Sequence, residues 1–317
     1  MKSERSQAKT ERHGFLCLDK PAGMTSHDVV AIARRALKQK QIGHSGTLDP
    51  MATGVMILAV GKATRLLRFL KDDKTYEAGV LLGLVTATDD IEGEVLEKKP
   101  LSAKQKEQIK ENIGAALSKF QGKIEQMPPL YSAIHINGRR LYDLARSGEI
   151  KHEELETYVK KRQVTIYDIK LNRLDISNDE SEEADSRLSL KIHCSSGTYI
   201  RSIARDLGEH FGCGACLDQL RRTTAGAFSE SDCHSLDELK EAGETMPLLP
   251  IERVGLPILV IEDPDWRRRF CQGQKISNPQ SCQKDNQYFL LTAPEQEVLG
   301  IAALTEDGLL KPEVVLA

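Results

Sequence analysis

No run of about 18 apolar residues occurs in the 317-residue sequence, which argues against an ordinary membrane-spanning helix. The opening residues, MKSERSQAKTERHG, lack the apolar core of a secretory signal, and residues 1–13 are expected to form a flexible tail. A disulfide framework is missing too. Seven cysteines, an odd number at scattered positions, fit reduced thiols in a cytoplasmic protein. There is no internal repeat and no long low-complexity tract. Nor is there an excess of positive charge. With 44 Lys and Arg against 47 Asp and Glu, the net charge of -3 argues by itself against a nucleic-acid partner.

That last argument weakens once position is considered. NDESEEAD, 178–185, holds five acids and no base, and the rest of the chain balances 44 bases against 42 acids. Bases cluster at Arg65, Arg68, Lys71 and Lys74, at Arg139, Arg140 and Arg146, at Lys160–Arg162, at Arg221 and Arg222, and at Arg267–Arg269. RNA binding needs a positive face, not a positive protein. Any single cluster is more often solvated surface charge.

Two familiar chemistries lack their residues. Gly61-Lys62 suggests a phosphate loop, but GxxxxGK[ST] needs Gly at 56 and Ser or Thr at 63, where Met56 and Ala63 stand. Cys213 and Cys216 form a CxxC with His210, Cys233 and His234 nearby, yet a second ligand pair at zinc spacing is missing, so no metal is expected.

What is present reads as a two-part α+β protein. A hydrophobic share of 40% and a charged share of 29% are ordinary for a globular chain. FLCL, 15–18, reads as a buried strand ending in the Lys20-Pro21 turn. Thr25 and Asp28 make a capping box, followed by Val29, Ile32, Ala33, Ala36 and Leu37 at helical spacing. The Gly-rich loop 42–54 feeds VMILAV, 55–60, an unbroken apolar run suited to a strand buried on both faces. Residues 75–82 and 163–171 read as strands and 101–120 as a helix. Residues 126–150 mix prolines, aromatics and bases around one short helix, LYDLAR. The acidic segment 178–185 is expected as a hairpin loop before RLSLKIHC, whose residues alternate cleanly as in a half-buried strand. A helix follows, with Ile200, Ile203, Ala204, Leu207 and Phe211 as its stripe. From about residue 250, short strands dominate, Trp266 reading as a packed residue among them.

Asp49 stands between Gly-rich stretches and directly before Pro50. A carboxylate there more often caps a local N–H in a turn. Its loop, however, sits at the mouth of a core strand, and its glycines let a ligand approach the backbone. Arg201 opens a helix, where the macrodipole disfavours a cation by about 0.3–1 kcal/mol. An anionic partner would offset that cost, and Asp49 is a candidate; an exposed Arg tolerating the penalty is the alternative.

Five motifs then carry a resemblance: LDKPAGMTSHDVV, GHSGTLDPMATGVMILAVGKATR, KTYEAGVLLG, SSGTYIRSIARDLG and LRRTTAGAF, in this order between about residues 14 and 230. In them the chain resembles the TruB family of bacterial tRNA pseudouridine synthases. The resemblance implies the pseudouridine synthase fold: a mixed, largely antiparallel sheet with flanking helices over 14–249, with an RNA-gripping insertion at 126–150. It implies a small β-rich, PUA-like RNA-binding domain over 250–317. It makes Asp49 the catalytic aspartate, Arg201 its partner and Tyr76 the residue packed on the target uracil. Tyr199 and Leu220 would line the nucleotide pocket, His44 would contact displaced RNA nucleotides, and Lys20 with Pro21 would support the site. Tyr131, Arg139, Arg140, Tyr142 and Arg146 would stack on RNA or contact its phosphates. The implied substrate is uridine 55 in the T-arm of tRNA, with no cofactor and no obligatory protein partner, the chain acting as a cytoplasmic monomer. A tRNA-binding folding chaperone and a guide-RNA-dependent relative are the rival expectations.

Overall fold

The computed structural model describes residues 11–151, 154–177, 186–278 and 287–317. In chain order the N-terminal half contains β1 (Gly14–Lys20), α1 (Ser26–Ala36), β2 (Ile42–His44), β3 (Thr53–Val60), β4 (Lys74–Leu82), β5 (Leu84–Thr86), β6 (Val95–Lys98), α2 (Ala103–Phe120) and β7 (Gly122–Gln126). Then come β8 (His135–Ile136), β9 (Arg139–Arg140), α3 (Leu141–Arg146), α4 (Leu155–Tyr158), β10 (Arg162–Asp175), β11 (Ser186–Cys194), α5 (Ile200–His210), β12 (Ala215–Ala225), β13 (Phe228–Ser229) and α6 (Leu236–Ala242). The last stretch holds β14 (Ile258–Val260), α7 (Pro264–Cys271), β15 (Ile276–Ser277), β16 (Tyr288–Thr292), β17 (Val298–Leu304) and β18 (Leu309–Val315).

The main sheet runs β1-β3-β12-β4-β11-β10-β7, with β2 added to β3 and β13 to β12. Every pairing is antiparallel except β3 with β12. That parallel contact brings β12 alongside the end of the Gly-rich loop, with Arg222 opposite Gly54. Gly54 has φ +100°, and a Cβ there would meet the Arg222 carbonyl oxygen at 2.2 Å. Gly54→Ala is therefore expected to destabilise the fold by about 2 kcal/mol or more, read as a lower denaturation midpoint.

The VMILAV strand is buried on both faces, as its composition predicts. Met56, Leu58 and Val60 enter a core shared with α1, α2 and α5. Val55, Ile57 and Ala59 enter a second core with Phe15, Phe228, Leu290, Ile301 and Val314. The second core is continuous with the C-terminal sheet, β14-β16-β17-β18-β15, so one face of the main sheet carries helices and the other meets the small β unit. That unit also contains α7, capped by Asp263, which the short-strand texture did not announce. Its likeness to a PUA domain holds at the level of position, size and strand content.

Local capping signals explain several of the helix starts. The capping boxes Thr25–Asp28 and Ser102–Gln105 both form. Three boundaries differ from expectation. A nine-residue 3-10 helix, Gly61–Phe69, follows the central strand. Ile42–His44 pairs with β3 and is a short strand rather than loop. Within the expected tail, Arg12 donates to the carbonyls of Glu244 and Met246, and the Lys62 amide donates to His13 Nδ1 at 3.1 Å. Residues 1–10, and the acidic segment expected as a hairpin loop at 178–185, lie outside the described residues.

The excursion is longer than 126–150. β7 and β10 pair directly, Gln126 opposite Arg162, so the described residues between them leave the sheet. It builds its own small core from Leu130, Leu141, Leu144, Ile150, Leu155 and Val159. The cause lies past Ile150, where Leu155 and Val159 supply two of the apolar groups that close that core.

Candidate active site

Asp49 sits on a loop whose backbone polar groups are satisfied from below. Ser26 Oγ accepts from the Leu48 amide at 2.9 Å and lies 3.1 Å from the Leu48 carbonyl, to which it also donates. Lys20 is fully buried, and its ammonium donates to Pro21 O at 2.8 Å, Pro50 O at 3.0 Å and Ala52 O at 2.6 Å. Arg222, also fully buried, donates from Nε to Val55 O at 2.7 Å and from Nη2 to Gly46 O at 3.3 Å. The two cations thus hold carbonyls on both sides of Asp49. Ser26 was not singled out from sequence, and Arg222 was noted only as one of a basic pair. A Ser after the Thr cap and an Arg in a β-strand carry no local sign of their use.

Arg201 is the second residue of α5 and is only 6% exposed. Its Nη2 donates to Asp49 Oδ1 at 3.1 Å, and its Nε lies 3.0 Å from Oδ2 without the alignment of a hydrogen bond. Nη1 donates to Thr88 O at 3.0 Å and Nη2 also to Tyr131 O at 3.1 Å. The structure therefore brings Asp49 and Arg201 together as the dipole argument suggests. The Asp49 side chain keeps 32% of its surface exposed, so it faces outward from a buried anchor.

A second carboxylate shares that anchor. Asp90 Oδ2 lies 3.4 Å from Arg201 Nη1, and Asp90 accepts from Thr88 Oγ1 at 2.6 Å and from the Glu92 amide at 3.1 Å. Burial raises its pKa, while the Thr88 hydrogen bond and Arg201 oppose the rise. Next to it Asp89 accepts from Arg205 at 2.8 Å, and Arg205 also donates to Met127 O at 3.0 Å. Asp89 and Asp90 were missed in the sequence. Their signal was two adjacent acids ahead of a Gly turn, too common to single out.

Tyr76 lies on β4 opposite Arg222 of β12 and is 7% exposed. Burial pushes its phenol upward, and the charge of the neighbouring Arg222 guanidinium opposes that. Burial lowers the pKa of His44, helped by His27, whose ring meets it edge-on at 5.9 Å. Leu220 is buried in the main core. Tyr199 is the α5 N-cap, and its backbone is clasped by Gln126, which accepts from its N–H at 2.8 Å and donates to its carbonyl at 2.9 Å.

The excursion is bolted to the same helix through Gln126, Met127 and Tyr131. Of its bases, Arg139 is committed to Glu149 by two contacts of 2.7 and 2.9 Å. Arg140 donates to the Tyr142 hydroxyl at 2.8 Å, and the Arg146 guanidinium lies 5.7 Å from the Tyr142 ring centre. Members of two other basic clusters, and Lys62 beside one of them, bond to the fold itself. Arg65 donates to Val315 O at 2.6 Å, and Lys62 donates to Leu316 O, tying the C-terminal strand down. Arg221 is held by Asp19 and Glu230. Among the described residues, no group of three His, Cys, Asp or Glu side chains is arranged to hold a metal. None of their helices is long and apolar enough to cross a membrane.

Burial brings the Lys20 pKa down from 10.5 to about 8, with Asp49 the main opposing influence. Because the folded value is lower, the unfolded chain holds the extra proton between these values, and this group adds stability as pH rises through that window. Activity should move the other way. A neutral amine has two N–H groups for three carbonyls, so the loop loosens. We expect turnover to fall above pH 8 while the thermal midpoint does not, and a Lys20→Arg variant to lose that alkaline limb. A single pH series of rate and melting curves checks both.

A model of the TruB family pseudouridylate synthase N-terminal domain matches residues 34–200, and two TruB C-terminal models match 201–252 and 263–316. The chain belongs to the TruB family of pseudouridylate synthases. The tRNA pseudouridine synthase B of Acaryochloris marina is 45% identical over 306 residues, covering 96% of this chain and 98% of the relative. The enzyme of the same name from Trichormus variabilis is 42% identical over 312 residues, covering 95% and 98%. A solved Cbf5-Nop10-Gar1 complex shares the fold, with a TM-score of 0.65 at 24% identity over 95% of this chain and 84% of that one.

Proposed function

We propose that the chain converts uridine 55 in the T-loop of tRNA to pseudouridine, with Asp49 as nucleophile. The observation that carries this reading is the half-exposed Asp49 carboxylate gripped from behind by buried Arg201, on a loop pinned by Lys20 and Arg222. Relatives at 40–45% identity over nearly their whole length bear the name tRNA pseudouridine synthase B. The reaction breaks the N1–C1′ bond, turns the base and joins C5 to C1′, with a proton lost from C5 and one gained at N1. It is an isomerisation, so it balances without a redox partner or group donor, and one carboxylate supplies the covalent step. Arg201 aims that carboxylate.

The target base must leave its stack, at a cost of a few kcal/mol. Tyr76 then supplies a surface for the flipped uracil, with Tyr199 and Leu220 beside it, and His44 meets nucleotides displaced from the loop. Arg140, Arg146, Tyr131 and the Glu149-paired Arg139 grip the T-arm. The chain works as a monomer in the cytoplasm, with no guide RNA and no cofactor. A folding chaperone needs tRNA affinity alone and has no use for a buried fork that orients one carboxylate.

The test is to map pseudouridine in a tRNA transcript after incubation with purified protein. Modification at position 55, lost when cytidine replaces that uridine, is expected. Modification elsewhere, or tight binding with no modification, overturns the reading.

A further inference from the structure

We infer that Arg222 is a positioning residue for the reaction, holding the Asp49 loop and the Tyr76 ring in register with each other. The inference rests on the roles proposed above for Asp49 and Tyr76.

Arg222 is among the largest of the fully buried side chains of the described residues. Among the described residues no carboxylate lies within ion-pair distance of it. A buried guanidinium without an anion is costly to the fold, and carbonyls alone offset that only in part. Its placement shows what the cost secures. Nε reaches Val55 O and Nη2 reaches Gly46 O, so one planar group spans the two ends of the segment that carries Asp49. Nη1 is buried and has no aligned partner. Tyr76 stands on the neighbouring strand at the position directly opposite Arg222, and the guanidinium's charge opposes the upward push of burial on its phenol.

The backbone is shaped around it. Gly54 lets β3 pass the Arg222 backbone, and a Cβ on Gly46 would stand 3.7 Å from Nη1 and 3.3 Å from Lys74 Cε. Lys20 could hold the loop alone if stiffness were the only need, through Pro50 O and Ala52 O. Arg222 adds what Lys20 does not: one rigid fork that holds the nucleophile's loop from the ladder position opposite the tyrosine. A planar fork fixes relative position in a way an ammonium does not. A misplacement of about 1 Å between reacting groups costs on the order of 100-fold in rate.

The test compares wild type, Arg222→Lys and Arg222→Gln, each alone and with Tyr76→Phe, in single-turnover release of the C5 proton from uridine-labelled tRNA. tRNA affinity and melting curves are taken on the same samples. Arg222→Gln removes the buried charge and keeps an amide donor, so it serves if the lysine variant fails to fold. The expected result is a folded protein with unchanged tRNA affinity and a rate about 100-fold lower. Combined with Tyr76→Phe, the loss should equal the larger single loss rather than their product. A folded Arg222→Gln at the wild-type rate overturns the inference, and so do losses that multiply. If wild type itself releases no proton, the function proposed above fails instead, and the two failures are distinct.

Discussion

Asp49→Asn is expected to fold and bind tRNA like the wild type and to form no detectable pseudouridine, a loss of at least about 10,000-fold. The amide has the shape of the carboxylate but no nucleophilic oxygen. Stability should change little, because Asp49 is partly exposed and Arg201 keeps Thr88 O, Tyr131 O and Asp90. A substantial residual rate would mean that another group attacks. A collapse of the fold would mean that Asp49 is structural, which its exposure argues against.

Arg201→Ala is expected to damage both stability and rate. It strips the cation from Asp90, whose side chain is 6% exposed, as well as from Asp49. Removing one partner of a buried pair costs about 3–5 kcal/mol, and at roughly 2–4 °C per kcal/mol the melting midpoint should drop by about 6–20 °C. The defect has a pH signature. Burial already raises the Asp90 pKa, and loss of Arg201 raises it further. A carboxyl with a raised folded pKa favours the fold while protonated, and that benefit is lost as pH rises through the window between the unfolded and folded values. The stability gap between variant and wild type should therefore narrow as pH is lowered. Arg201→Lys should fall between the two, since an ammonium keeps the charge but not the fork.

Parts of this site were legible in the sequence for identifiable reasons. VMILAV announced a doubly buried strand because an apolar run without alternation has no other comfortable place. Arg201 drew notice because a cation at a helix start contradicts the dipole, and Asp49 is the answer to that contradiction. The charge patches were poorer guides. Arg65 and Arg221 are spent on a carbonyl and on carboxylates of the fold, and position in sequence carries no record of that. Asp90 and Arg222 were illegible for a related reason. Each acts through tertiary neighbours more than 100 residues away, Arg201 for the first, Gly46 and Val55 for the second. The excursion's true length escaped because Leu155 and Val159, which close its core, follow a charged stretch with the texture of a linker.

The central claim, that Asp49 drives isomerisation of one tRNA uridine, is tested most directly by tritium release from a transcript labelled at uridine C5. Wild type in excess should release one uridine's tritium per tRNA, and Asp49→Asn, bound equally well, should release none. Equal release from both proteins would contradict the role of Asp49, and no release from wild type would contradict the function itself.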